Sequence, residues 1–334
     1  MQLSFSFIIP VYNRPDEIKE LLMSFVDLDF KAPYEIVIVE DGSSVKSDIV
    51  VEAFKNQLQV SYYFKPNSGP GDSRNYGMKK AQGNYFIILD SDCILPKNYL
   101  IEVEKSLRTH FVHCFGGPDT AHESFSNLQK AINFAMTSFL STGGIRGGKQ
   151  SVGKFQPRSF NMGLSKEAFY ATGGFGKIHP GEDPDLSIRL WNKGYETKLI
   201  PEAKVFHKRR ISWVKFYKQV FKFGQVRPIL NLWHPSTAKL TYWFPTLFSL
   251  GLLTAMVLLV FGIKWLAVIY AFYFVIYFFS AVYHTKSLII SVQSILALII
   301  QMVGYGWGFL KSTFFIKFMG RNPEEKFPQL FFKT

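Results

Sequence analysis

Over residues 1–210, short apolar runs alternate with amphipathic stretches. Phe5 to Pro10, Tyr34 to Val39, Val60 to Phe64 and Tyr85 to Leu89 read as buried strands. Between and after them, helices are predicted from Arg14-Pro15-Asp16-Glu17 to about Phe25, Asp48 to Phe54, Gly71 to Ala81, and through the Leu186, Leu190, Trp191 face after Gly181. Such alternation predicts an α/β domain with a largely parallel sheet. Three strands run directly into polar groups: Pro10-Val11-Tyr12-Asn13, Glu40-Asp41-Gly42 and Asp90-Ser91-Asp92. In open α/β sheets ligands sit outside the carboxyl ends of strands, so these ends are the first place to look for chemistry. Gly143 to Arg158, glycine-rich and almost without apolar residues, reads as a loop, either a lid or an ordinary surface connection.

The pattern changes after residue 210. Ser212 to Gly224 places Trp213, Phe216, Val220 and Phe221 on one helical face and Lys215, Lys218, Gln219 and Lys222 on the other. That predicts a basic amphipathic helix in the headgroup plane of a membrane. Three apolar segments follow, Trp243–Phe261, Trp265–Tyr283 and Leu288–Leu310, each near the length that crosses a bilayer. The basic cluster from Lys204 to Arg227 before the first of them predicts a cytoplasmic location for that side. Lys311, Lys317 and Arg321 argue for the same side after the third. Three full crossings do not allow that, so a re-entrant or interfacial last segment, broken by Gly304, Gly306 and Gly308, is the alternative.

Charge supports this division. The net charge of +13 invites a nucleic-acid reading until it is located. No Asp or Glu lies between Glu202 and Glu324, a stretch with 14 of the 38 Lys and Arg, and the rest of the chain is nearly neutral. A basic excess confined to the apolar third points to a membrane and away from nucleic acid. Cys93 and Cys114 lie in or beside strand-like runs and form neither a metal-ligand spacing nor a disulfide framework. The chain opens on a strand pattern without a basic leader, so no signal peptide is expected.

Two acids closing a buried strand, Asp90 and Asp92, need a cation, and a hard divalent metal completed by substrate phosphates is a natural one. Glu182, Asp183 and Asp185 stand in the first turn of a predicted helix. The helix dipole favours acids there, but three exceed what capping requires.

In order and spacing, Phe7–Arg14, Glu40–Ser44, Gly71–Gly77, Asp90–Asp92 and Gly181–Leu186 resemble the motifs of inverting family 2 glycosyltransferases of the GT-A fold, over about residues 5–210. A catalytic domain followed by membrane spans is similar to many bacterial members. The resemblance implies a GT-A catalytic domain at 1–210, a Rossmann-like mixed sheet. After it come an interfacial helix and linker at 211–238, about three membrane segments at 239–311 and a tail at 312–334. It implies that Pro10, Tyr12, Asn13, Glu40, Asp41, Arg74, Asp90 and Ser91 border a nucleotide-sugar site, with Asp41 on a uracil-like base and Arg74 facing the nucleotide or its phosphates. Pairing of Arg74 with Asp72 is the structural alternative. It further implies a divalent metal, Mn²⁺ or Mg²⁺, held by Asp90 and Asp92 with His207 as a third contact. Asp183 becomes the general base, Glu182 orients the acceptor, and Asp185 is read as a helix cap.

No Gln-x-x-Arg-Trp sequence follows the base motif, a departure from processive synthases that argues for single transfers. The expected activity is transfer of one sugar, from a UDP-sugar by preference, to a lipid-linked or glycan acceptor at the cytoplasmic face of the inner membrane, in cell-envelope polysaccharide or glycolipid synthesis. A polyprenyl-phosphate sugar synthase is the closest alternative. A non-catalytic nucleotide-sensing membrane protein is the alternative from another class.

Overall fold

The structure, a computed structural model, describes residues 2–120, 125–143, 154–207 and 212–332, with Thr120 and His207 given by backbone alone. Most of the loop read at 143–158, and Lys208, Arg209 and Arg210, lie outside the described residues. In chain order the strands are β1 (Phe5–Val11), β2 (Tyr34–Asp41), β3 (Val60–Lys65), β4 (Tyr85–Leu89), β5 (Cys93–Ile94), β6 (Cys114–Gly116), β7 (Asp119–Thr120), β8 (Asn161–Ser165), β9 (Thr197–Leu199) and β10 (Val205–His207). The helices are α1 (Pro15–Val26), α2 (Asp48–Glu52), α3 (Pro70–Lys80), α4 (Tyr99–Thr109), α5 (Asn127–Thr137), α6 (Phe139–Thr142), α7 (Lys166–Thr172), α8 (Glu182–Asn192), α9 (Trp213–Trp233), α10 (Phe244–Val260), α11 (Trp265–Thr285), α12 (Leu288–Thr313) and α13 (Pro323–Lys326).

The chain divides into two compact units. One comprises Met1–His122, Gly153–Lys208 and Phe331–Thr334, and the other Glu123–Val152 and Arg209–Leu330. This departs from a boundary at residue 210. The segment around α5 and α6 belongs with the apolar helices, because Ile132, Ala135 and Met136 of α5 bury their side chains in a cluster with α9 and α12.

The first unit is built on a seven-stranded mixed sheet in the order β3-β2-β1-β4-β8-β6-β9. All neighbours are parallel except at β8, which runs antiparallel to both β4 and β6. A second sheet, β5-β10-β7, places His207 in register with Cys93, the residue after Asp92. From β1 the chain winds to β2 on one side, while β4 lies on the other. The crevice outside the end of β1 is thus a topological switch point. Side-chain alternation along the strands divides the core. Phe7, Ile9, Ile36, Ile38, Ile87 and Leu89 face α1 and α4. Ile8, Val37, Val39, Phe86 and Ile88 face α3, α7 and α8.

Helix α3 is polar almost all round, yet Gly71, Ser73, Arg74, Gly77 and Met78 are buried. Gly77 permits this: a Cβ there would stand 2.7 Å from Cγ2 of Ile8 and 3.1 Å from Cγ2 of Val39. The helix backbone therefore lies directly on β1 and β2 and carries Arg74 below the surface.

In the second unit three helical segments are long and apolar enough to cross a membrane: Leu240–Val260, Trp265–Thr285 and Leu288–Phe318. Many of their large apolar side chains, among them Leu253, Val257, Phe272, Phe279 and Val292, point outward. An apolar exterior of this extent suggests association with a membrane. Gly304, Gly306 and Gly308 do not break the last segment. Helix α12 runs through all three, and they form its packing surface. A Cβ on Gly304 would stand 2.7 Å from Val220, and one on Gly308 would overlap the Phe221 carbonyl of α9, while a Cβ on Gly224 of α9 would overlap Tyr305 in return. Small residues on both sides bring the two backbones together, as is common between membrane helices. Phe216 and Val220, on the face predicted to meet the headgroups, are buried against α5 and α12. Gly308→Leu is expected to overpack this contact at a cost of about 2–3 kcal/mol. A thermal-unfolding scan in detergent beside an exposed control, Leu253→Ala, measures it.

Candidate active site

The site assembles around Arg74. Its guanidinium is only 3% exposed as a residue. It donates from Nη2 to Asp90 Oδ1 at 2.8 Å and from Nη1 to Glu182 Oε1 at 3.3 Å. Phe175 covers it, with the ring centroid 5.3 Å from Cζ. The end of β4 and the first turn of α8, 92 positions apart in the chain (90 and 182), are thus tied through one cation on α3. Asp72, the alternative partner read from sequence, instead stands 3.3 Å from Lys65 Nζ and accepts from Ser68 Oγ at 2.5 Å. The second acid of the β4 turn, Asp92, takes Arg14 Nη1 at 2.6 Å, and Ser91 between them is buried.

Glu40 and Asp41 are spent largely on the loops around them. Glu40, fully buried, accepts from Ser43 Oγ, from the Ser47 amide at 2.9 Å and from Tyr62 Oη at 3.1 Å. Asp41 accepts from Lys65 Nζ at 2.7 Å and from the amides of Ser68 and Gly69 at 3.0 and 2.9 Å. It therefore sets the path of the chain into α3. Asn13 adopts a left-handed φ of 55°; its Oδ1 accepts from Ser44 Oγ at 3.0 Å and the Val45 amide at 2.9 Å. Pro10 sits in β1 opposite Val39, and Tyr12 is exposed at the strand end. The structure thus gathers Pro10, Tyr12, Asn13, Glu40, Asp41, Arg74, Asp90, Ser91 and Asp92 along one sheet rim, with the backbone of His207 one register position beyond Asp92.

At α8 the two neighbouring acids differ in kind. Glu182 accepts from His179 Nδ1 at 2.8 Å as well as from Arg74. Burial pushes its carboxyl up, but His179 and Arg74 outweigh this and hold it well below the usual carboxylate range. Asp183 is buried, and the negative charge of Glu182 lies beside it; together these raise its carboxyl to about 6, against the opposing pull of Arg74 and Arg158. Its Oδ2 accepts the Ser159 amide at 3.1 Å, while Oδ1 is buried with no hydrogen-bond partner among the described residues. Two carboxyls driven apart in this way are the usual means of separating an orienting acid from a proton acceptor. Asp185 does not cap the helix. It pairs with Arg189 one turn on, at 2.7 Å, and Gly181 occupies the cap position. His179 was not singled out in the sequence, although it stands three residues before Glu182 in the run His179-Pro180-Gly181-Glu182-Asp183.

Residues 6–169 match the family model for glycosyl transferase family 2. The first unit carries a family 2 glycosyltransferase domain. Over 111 residues the chain is 35% identical to the poly(ribitol-phosphate) β-N-acetylglucosaminyltransferase TarS of Staphylococcus aureus, a match that covers 32% of this chain and 19% of TarS. It is 24% identical over 278 residues to the probable glycosyltransferase YdaM of Bacillus subtilis, covering 73% of this chain and 64% of YdaM. Among solved structures, the mannosyltransferase PcManGT of Pyrobaculum calidifontis, in complex with GDP-Man and Mn²⁺, superposes with a TM-score of 0.54 at 16% identity, over 67% of this chain and 63% of that one. TarS residues 1–349 in complex with UDP-GlcNAc give 0.51 at 16% identity, over 96% and 93%. These structures share the GT-A fold.

Replacing Arg74 by Met leaves Asp90 and Glu182 without their shared cation, and the loss of a buried partner of this kind costs about 3–5 kcal/mol. Arg74→Lys keeps the charge but not the fork, and is expected to fall between Met and the native residue. Chemical denaturation of the three proteins tests the order; a Met variant as stable as the native chain contradicts it.

Proposed function

We propose that the protein is a membrane-anchored, inverting glycosyltransferase that moves one sugar from a nucleotide-diphosphate donor, with a UDP-sugar favoured, to a lipid-linked or glycan acceptor. The observation that carries this reading is Asp183: a buried carboxylate with one unpartnered oxygen and a raised pKa beside an acid held ionised. The stretch of 35% identity with TarS, a β-N-acetylglucosaminyltransferase, favours the donor class. The apolar helices favour an acceptor confined to the bilayer.

In this reading Oδ1 of Asp183 takes the proton of the acceptor hydroxyl as that oxygen attacks the anomeric carbon. Glu182 stays ionised and, held by His179 and Arg74, fixes the acceptor side of the site. Tyr12 and the loops set by Asn13, Glu40 and Asp41 border the donor nucleotide. Asp90 and Asp92 fit a hard divalent cation, being paired carboxylates at a strand end with His207 on the next strand. Both carboxylates already face positive charge, Asp90 the guanidinium of Arg74 and Asp92 that of Arg14, so a cation is what this strand end is built to meet. Such an ion, when bound, neutralises the charge that develops on the departing diphosphate. The site is read as lying at the cytoplasmic face of the inner membrane, in cell-envelope polysaccharide or glycolipid synthesis; the basic cluster before the first apolar helix supports that side.

Asp183→Asn is expected to lower kcat by about a thousandfold or more with donor binding within about twofold of native, as loss of a general base does. Transfer and calorimetric donor titration measure the two, and an active Asn variant refutes the assignment. A base must be unprotonated to act. With its pKa raised from 3.8 to about 6, log kcat/KM should fall with unit slope below about pH 6 and not near pH 4. Chelation should abolish transfer, and Mn²⁺ or Mg²⁺ should restore it.

A further inference from the structure

The first unit includes a segment that follows the last apolar helix in the chain. Phe331 forms an antiparallel bridge with Ile178, and the Phe332 amide donates to the Lys177 carbonyl at 3.1 Å. The Phe332 ring then lies between two parts of the active site. On one side its centroid is 5.6 Å from the His179 imidazole, at 44°. On the other it rests on Gly69, whose φ of +94° and bare Cα make the room, since a Cβ there would overlap the ring. Gly69 is also the residue whose amide Asp41 holds, at the entry to α3. The segment behind it is close to α3 too: a Cβ on Gly71 would stand 3.1 Å from the Gly176 carbonyl.

We infer that Phe332 is a positioning residue for the transfer reaction, wedging the 177–182 segment against the start of α3 so that His179 keeps its hold on Glu182. The His179 side chain is 40% exposed, so the 2.8 Å contact of its Nδ1 with Glu182 depends on the ring being kept in place. A ring packed on one face and a backbone bridge at 177–178 supply that restraint. Phe332 touches no reacting atom in this scheme; it acts through His179. The inference rests on the roles given above to Glu182 and Asp183, but its structural half, the ordering of His179, does not.

The test uses the full chain with Phe332→Ala, Phe332→Tyr, His179→Ala and the double variant Phe332→Ala/His179→Ala. Phe332→Ala should lower kcat by about tenfold, since small misplacement of a positioned group is enough for such a loss. Donor KM should stay within about twofold, and Phe332→Tyr should restore kcat. On the His179→Ala background, Phe332→Ala should add nothing, because the two act in series. The reading independent of activity is the rate of His179 carbethoxylation by diethyl pyrocarbonate, followed by mass spectrometry. It should rise severalfold in Phe332→Ala and remain native in Phe332→Tyr. An unchanged modification rate, or a further full loss of kcat on the His179→Ala background, overturns the inference. If Asp183→Asn proves active while the modification rates behave as stated, the base assignment fails and the ordering of His179 by Phe332 stands.

Discussion

A buried guanidinium is the constraint from which the site follows. Arg74 cannot release its proton, and on the floor of a sheet it must be met by carboxylates. It takes one from the end of β4 and one from the first turn of α8. That choice fixes where the first turn of α8 stands relative to the strand ends. It also decides the order in which the two acids of α8 ionise: the one that reaches Arg74 and His179 is held charged, and its neighbour, with less compensation, is left a weak acid. The two side chains differ by a single methylene, so their surroundings drive their ionisation apart: His179 and Arg74 at Glu182, burial beside a negative charge at Asp183.

The acids of β2 show a second economy of the same kind. Glu40 and Asp41 stand at a strand end where a ligand belongs, yet their oxygens are engaged by Ser43, Ser47, Tyr62, Lys65, Ser68 and Gly69. Their charge shapes the rim, holding the turn after β2 and the glycine entry to α3. A nucleotide that meets this rim meets a surface already organised, and little ordering entropy remains to be lost on binding.

The apolar unit obeys different rules. Lipid offers no hydrophobic drive between helices, so contact depends on close backbone approach. Gly224, Gly304 and Gly308 supply it. With Phe216 and Val220 buried, α9 is a member of the bundle as well as the carrier of a basic face.

Much of this was legible in the chain. The short apolar runs located β1 to β4, and the long apolar stretches located the three helices long enough to cross a membrane, because both are local patterns in which neighbouring residues share an environment. The acid-bearing strand ends and the Glu182–Asp183 pair stood out for the same reason: carboxylates beside apolar runs are costly wherever they fold. Tertiary structure alone decided their partners. Arg74 reads as a polar helix residue near Asp72, and only the docking of α3 through Gly77 buries it and turns it toward Asp90 and Glu182. Gly304, Gly306 and Gly308 read as helix breakers, and only the helices packed on them, α9 at Gly304 and Gly308 and α10 at Gly306, make them a packing face. Sequence fixes which groups must find a partner, because desolvation acts on each residue where it lies. Which partner each one finds depends on contacts between positions far apart in the chain, and these exist only once the sheet and helices have packed.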